Sequence, residues 1–224
     1  PALPATVPNS YREAVQSPDA ARWIAAMQAE YDSIIRNKTY LLVDLPHGWR
    51  AIDARWLFKL KQLASGLSDR EKARWVVKGY SQVFGLDFGE TYAPVVRLEN
   101  LRLLLTIAIA LSLHVHAMDI KSAFLHTRLV KQIYIQQPEG FMSAEHPNKV
   151  CLLLKSLYGL KQAPHVWNQE IDSHLQRHGY VPTDADPCVY VRRVGGAVAF
   201  ISLYVDDCTI IASDSLLQAT KDVL

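Results

Sequence analysis

Two adjacent carboxylates, Asp206 and Asp207, sit between apolar, β-prone runs, F-I-S-L-Y-V before them and C-T-I-I-A after. Runs of this length read as strands, and the two acids between them leave room for a tight hairpin turn. The pair is neither Asn-Gly nor Asp-Gly, so ordinary turn chemistry does not account for it. Like charges at the tip of a mostly buried hairpin raise each other's energy unless a cation answers them. Mg2+ is such a cation, because it takes hard oxygen ligands. A plain solvated hairpin tip is the bland alternative. A third acid, Asp119, closes the extended run 114–120, 87 positions before Asp206. Three carboxylates from two neighbouring strands can hold two Mg2+ ions. Such ions, about 3.5–4 Å apart, clamp the attacking and leaving oxygens of a phosphoryl transfer.

The elements that must carry these acids can be read along the chain. Residues 1–16 are proline-rich and weakly patterned, and read as a linker before one sizeable domain over 17–224. Ser17-Pro18-Asp19 signals a helix start, and Trp23, Met27, Tyr31 and Ile34 follow at helical spacing. A short strand is expected over 40–43. Next comes a hairpin of 55–62 with 71–78, broken at Ser65-Gly66, with one apolar and one basic face. Its seven cations, from Arg55 to Lys78, read as a solvated strand face unless something anionic meets them. Residues 98–113 read as a buried helix, 131–136 and 149–154 as strands, and Trp167, Ile171 and Leu175 as a helix stopped at Gly179. Strands near 188–193 and 197–205 lead into the acidic hairpin, and Ser213-Asp214-Ser215 opens a last helix.

Composition excludes little. Half the residues are apolar, about a fifth are charged, and the net charge of +2 does not argue for nucleic acid by itself. Three cysteines without a C-x-x-C pair suggest reduced thiols in an intracellular protein. No run approaches the roughly 20 apolar residues of a membrane span, and no secretory pattern opens the chain.

Longer blocks sharpen this reading. Y-V-D-D (204–207) resembles the Y-x-D-D box of reverse transcriptases. K-A-R-W-V-V-K-G-Y-S-Q (72–82), E-T-Y-A-P-V-V (90–96), M-D-I-K-S-A-F-L-H (118–126), K-S-L-Y-G-L-K-Q-A-P (155–164) and D-P-C-V-Y (186–190), in that order, resemble the polymerase of copia-type long-terminal-repeat retrotransposons. The resemblance covers about residues 20–214. It implies an α/β (α+β) right-hand polymerase, with fingers and a mainly antiparallel palm sheet backed by helices, copying RNA or DNA from a primer with dNTPs. Asp119, Asp206 and Asp207 become the catalytic metal ligands for two Mg2+ ions, with Mn2+ as a substitute. Lys72 and Arg74 match residues that hold the incoming triphosphate, an exposed strand face being the alternative for each.

Phe124 matches an aromatic gate against the ribose 2′-OH, or else packs in the core. Gly159, Lys161 and Gln162 match a segment lining nucleotide and template, Gly159 being equally a turn. Tyr204 and Lys161 are expected on template and primer. The family also implies a polyprotein with integrase upstream and RNase H downstream, a thumb beyond Leu224, and cytoplasmic virus-like particles. The chain by itself is therefore expected to extend a primer poorly or not at all. Two departures stand out. Trp75 replaces the usual leucine, and T-R-L-V-K-Q-I-Y (127–134) is basic where the family is acidic. A truncated, inactive element remnant that at most binds nucleic acid, and a two-metal nuclease, are the competing readings.

Overall fold

The computed structural model describes residues 7–62 and 68–224 of the chain. The polypeptide divides into two compact units, residues 1–90 with 124–163, and residues 91–123 with 164–224. The Ser65-Gly66 break and the first six residues lie outside the described residues.

The first unit begins with α1 (Tyr11–Gln16), inside the stretch expected as linker. Ser10 caps it by accepting from the Glu13 N–H at 3.2 Å, and Ala14 is fully buried. Helix α2 (Ala20–Arg36) begins two residues later than Pro18 suggested. Ser17 is not its cap, because the Ser17 hydroxyl donates back to the Ala14 carbonyl at 2.9 Å and closes α1 instead. Trp23, Met27 and Ile34 are the buried stripe of α2. That stripe lies on a hairpin of β2 (Ala54–Gln62) and β3 (Ser68–Val77).

Alternation does the sorting here, since residues directly opposite share a face. Trp56, Phe58, Ala73, Trp75 and Val77 are buried, and Trp23 meets Phe58 edge-on at 5.3 Å. Trp75 for leucine is thus absorbed in the core, where it also meets Tyr40 at 6.1 Å. The other face of β3 carries Lys72, Arg74 and Val76. Strands β1 (Tyr40–Val43), β5 (Tyr134–Ile135) and β6 (Val150–Leu153) form a separate antiparallel sheet, ordered β1-β6-β5.

The second unit holds a five-stranded antiparallel sheet. Its strands are β4 (His114–Asp119), β7 (Val181–Thr183), β8 (Asp186–Val194), β9 (Ala197–Tyr204) and β10 (Asp207–Ala212), in the order β4-β10-β9-β8-β7. Helix α4 (Ala163–Arg177) buries Trp167, Ile171 and Leu175 and stops before Gly179, whose φ of 81° suits a helix C-terminus. Helix α5 (Asp214–Val223) is short but tied down. The Tyr180 hydroxyl donates to Thr220 Oγ1 at 2.8 Å, and His174 Nε2 lies 2.6 Å from the Val223 carbonyl.

Helix α3 (Leu98–Ala110) departs from expectation. Only Leu104 and Ala108 are buried, while Leu103 is 58% and Ile109 83% exposed. Apolar residues occur all round this helix, so no single stripe says which side is covered. The N-terminus of α3 is capped from outside. Asp186 accepts from the Arg97 N–H at 3.0 Å and from the Asn100 side chain at 2.8 Å through one oxygen, and from the Cys188 N–H at 2.9 Å through the other. The architecture is mixed α/β with antiparallel sheets, and no helix among the described residues is long and apolar enough to cross a membrane.

Candidate active site

Strands β4 and β10 run antiparallel with Asp119 directly opposite Asp207. One residue further, the Ile120 N–H donates to the Asp206 carbonyl at 2.9 Å. A bond from the residue after Asp119 to the residue before Asp207 marks the pair between them as non-hydrogen-bonded. In such pairs the Cα atoms lie about 4.5 Å apart and both side chains rise from the same sheet face. Asp119 and Asp207 are exposed and Asp206 is half-buried.

The turn is Val205-Asp206, one residue earlier than expected, because Tyr204 and Asp207 pair across the hairpin. Asp207 belongs to the ladder on both of its sides, so only Asp206 is left in the loop. Val205 takes φ 58°, and positive φ at the first central residue is the type II′ pattern. A β-branched side chain is a steric outlier there, at a cost of about 1–3 kcal/mol. The Trp167 indole on α4 donates to the Val205 carbonyl at 2.8 Å and helps to hold the turn.

Cys208, next in the strand, is buried, and its thiol donates to the Met118 carbonyl at 3.4 Å. Burial, then the charges of Asp207 and Asp119, push that thiol up to about 11, so it stays protonated at neutral pH. An open cavity of about 240 Å³ adjoins the acids, with Val96, Leu98 and Leu101 on one side and Ser202, Tyr204 and Asp207 on the other. Tyr204 is 57% exposed at its wall.

The donor set suits a hard divalent cation: oxygen ligands only, accessible to solvent, two of them opposed across one rung. Among the described residues no three His, Cys, Asp or Glu side chains are gathered to hold a metal as they stand. Completing a three-carboxylate site therefore takes side-chain movement.

The first unit gathers the residues expected on the nucleotide. The Arg74 guanidinium lies over the Tyr158 ring, 4.3 Å from its centroid. Phe124, 7% exposed, meets the same ring at 4.8 Å and 74°. Lys72 shares the Arg74 face of β3. Gly159 is more than a turn. Its φ is 91°, and a Cβ there would fall on the Val77 carbonyl and 2.7 Å from Val76 Cγ1. The adjoining Tyr158 carbonyl accepts from the Val77 N–H at 2.8 Å.

Gln162 is 6% exposed, and its amide is engaged with Gln82 at 3.1 Å and the Asp87 carbonyl at 3.2 Å, which gives it a packing role. Lys161 is exposed, its ammonium 4.6 Å from the Phe88 ring centroid and 3.3 Å from the Gln82 carbonyl. Lys131, in the stretch that departs from the family, donates to the Gly85 and Leu86 carbonyls at 2.5 and 3.3 Å.

Two residues of this cluster escaped the sequence reading. Tyr158 lay inside a quoted block, but nothing in sequence pairs it with Arg74, 84 positions away. Glu30 is the other, and it left a signal. It falls on the buried stripe of α2, between Met27 and Ile34, where an acid needs a partner. Burial raises its carboxyl above the ordinary range, against the opposing pull of Arg74, the Trp75 N–H and Lys72.

Comparison with known proteins points the same way. The profile of the reverse transcriptase (RNA-dependent DNA polymerase) family matches residues 37–224. The chain is 44% identical over 213 residues, 95% of its length, to the retrovirus-related Pol polyprotein from transposon TNT 1-94 of Nicotiana tabacum. It is 39% identical over 215 residues, again 95% of its length, to the Pol polyprotein from transposon RE1 of Arabidopsis thaliana. A match at 36% identity over 95 residues, 42% of the chain and 31% of the relative, is to the putative transposon Ty5-1 protein YCL074W of Saccharomyces cerevisiae. The chain spans only 16% of the TNT 1-94 polyprotein and 15% of the RE1 polyprotein. Carrying the Y-V-D-D hairpin and matching the family over most of its length, this chain belongs to the reverse transcriptase family, in its copia-type retrotransposon branch.

Proposed function

We propose that the chain is the fingers and palm portion of a reverse transcriptase that adds dNTPs to a primer 3′-OH on an RNA or DNA template. The observation that carries this reading is the rung that sets Asp119 opposite Asp207, with Asp206 on the adjoining turn. Asp119, Asp206 and Asp207 would hold two Mg2+ ions, or Mn2+ in their place. When bound, the ions lower the cost of deprotonating the primer hydroxyl and balance charge on the leaving pyrophosphate.

The remaining work falls to the chain's own side chains. Asp119 and Asp207 project from one rung, their backbones held by the ladder and their exposed side chains able to turn toward a cation, and Asp206 supplies a third carboxylate from the turn. Arg74 and Lys72 bind triphosphate oxygens, Arg74 with its planar fork and Lys72 as a point charge. Phe124 bounds the sugar, and Gly159 lets the backbone beside it approach closely. Gln162 acts by holding its segment against Gln82. Tyr204 and Lys161 are assigned to the primer and template backbone, where contacts carry no sequence information. In the longer polypeptide of such relatives, integrase would precede and RNase H follow this portion, within cytoplasmic particles.

Single-nucleotide incorporation of dTTP on oligo(dT)·poly(rA) tests the reading. Wild-type chain with Mg2+ is expected to add nucleotide weakly, and Asp119→Asn and Asp206→Asn to add none. Template binding without incorporation at any Mg2+ or Mn2+ concentration would sink it, and cleavage of the template in its place would favour a nuclease.

A further inference from the structure

Arg74 and Phe124 come from distant parts of the sequence, yet both rest on one ring. Tyr158 carries the Arg74 guanidinium 4.3 Å from its centroid and meets Phe124 at 4.8 Å and 74°. The ring is itself set by a rigid backbone. Ser156 and Leu157 are fully buried, the Tyr158 carbonyl is bonded to the Val77 N–H at 2.8 Å, and Gly159 wedges into Val76 and Val77.

Stacking engages the face of a guanidinium and leaves its in-plane N–H donors for other partners, whereas a carboxylate consumes them. A tyrosine beneath Arg74 therefore removes side-chain freedom without neutralising the charge. Glu30 adds an opposite charge from α2, with its carboxyl raised by burial. We propose that Tyr158 is a positioning and specificity-determining residue: one ring fixes the spacing between the cation for the triphosphate and the aromatic that bounds the sugar. This rests on the polymerase reading given above. Discrimination between deoxy- and ribonucleotides then depends on Tyr158 although the residue need not touch the sugar.

The test combines a structural readout with binding by the 224-residue chain. In 15N–1H NMR spectra the Arg74 Nε–H, lying over a ring, is expected upfield in wild type and in Tyr158→Phe, and at an ordinary position in Tyr158→Leu. Titration calorimetry with dTTP, UTP and inorganic tripolyphosphate is expected to show Tyr158→Leu binding dTTP and tripolyphosphate about tenfold more weakly, which is about 1.4 kcal/mol, with the preference for dTTP over UTP reduced. Tyr158→Phe should keep both the affinity and the preference. An unshifted Arg74 signal in wild type overturns the proposal even where Tyr158→Leu does not fold. So does a Tyr158→Leu variant that loses the signal but keeps dTTP affinity and preference. If wild type binds none of the three probes while the Arg74 signal still tracks the ring, the polymerase reading fails and the positioning of Arg74 stands.

Discussion

Gly159→Ala is expected to be among the most damaging single-methyl changes in the first unit. Three separate costs meet at that position. Its φ of 91° is a conformation that L side chains rarely adopt, at about 1–2 kcal/mol. The new Cβ would fall on the Val77 carbonyl, 2.7 Å from Val76 Cγ1 and 2.9 Å from the Val77 nitrogen. Overpacking of this kind costs about 1–3 kcal/mol. Relieving it pushes the segment off β3 and threatens the bond from the Val77 N–H to the Tyr158 carbonyl, a further ~1 kcal/mol. The sum, about 3–6 kcal/mol, is a large share of the ~5–15 kcal/mol that stabilises a typical domain.

Gly48→Ala is the control. Its φ of 81° carries the same conformational penalty, but no atom beyond the residue and its two chain neighbours lies within 4 Å of the new methyl. Urea unfolding followed by tryptophan fluorescence reads the difference, since a slope of about 1–3 kcal/mol per molar converts the expected gap into a midpoint shift of about 1 M or more. Equal midpoints for the two variants would refute the close-approach reasoning and leave only backbone conformation.

Asp119→Asn should raise the melting temperature slightly at low salt while abolishing Mg2+-dependent incorporation, because it relieves like charges on one rung; a lower melting temperature would argue against close apposition. Val205→Gly should be more stable than Val205→Ala by about 1 kcal/mol, since only glycine accepts the positive φ without strain, and urea unfolding of the pair checks it. For Asp186, burial pushes the carboxyl up, but bonds from the Arg97 N–H, Asn100 and the Cys188 N–H outweigh it and leave it below its ordinary value. A group depressed in the folded state stabilises above its unfolded pKa of about 3.9, and that stability disappears as pH falls through the lower folded value. Asp186→Asn should therefore cost about 1–3 kcal/mol near neutrality and flatten the acid limb of a stability–pH profile; an unchanged acid limb would remove Asp186 as its source.

What was legible in the sequence was whatever a local period or a long block encodes. Alternation of apolar and basic residues marked the β2–β3 hairpin, and Lys72 and Arg74 do share a face opposite Trp75. The acids of β4 and β10 were paired in advance by motif, and the ladder brings Asp119 and Asp207 onto one rung. The turn was misjudged by one residue because register is decided by both neighbouring strands, and no local signal makes a valine adopt positive φ. Helix α3 was expected to be buried because apolar content was taken for burial. Helix α1 was missed because six residues carry too short a pattern to register. Tyr158 depends on a fold-level juxtaposition, whereas Glu30 was readable as an acid on an apolar stripe.

The position of the hairpin turn has a mechanical corollary. The backbones of Asp119 and Asp207 are rungs of a ladder and shift with the sheet, while Asp206 sits on a two-residue crank whose carbonyl hub, Val205, is tied to Trp167 on α4. A small axial displacement of α4 would thus shift the backbone of one acid against two held in the ladder. The hairpin is in effect a caliper with one adjustable jaw, and its gauge is set by a helix on which none of the three acids lies.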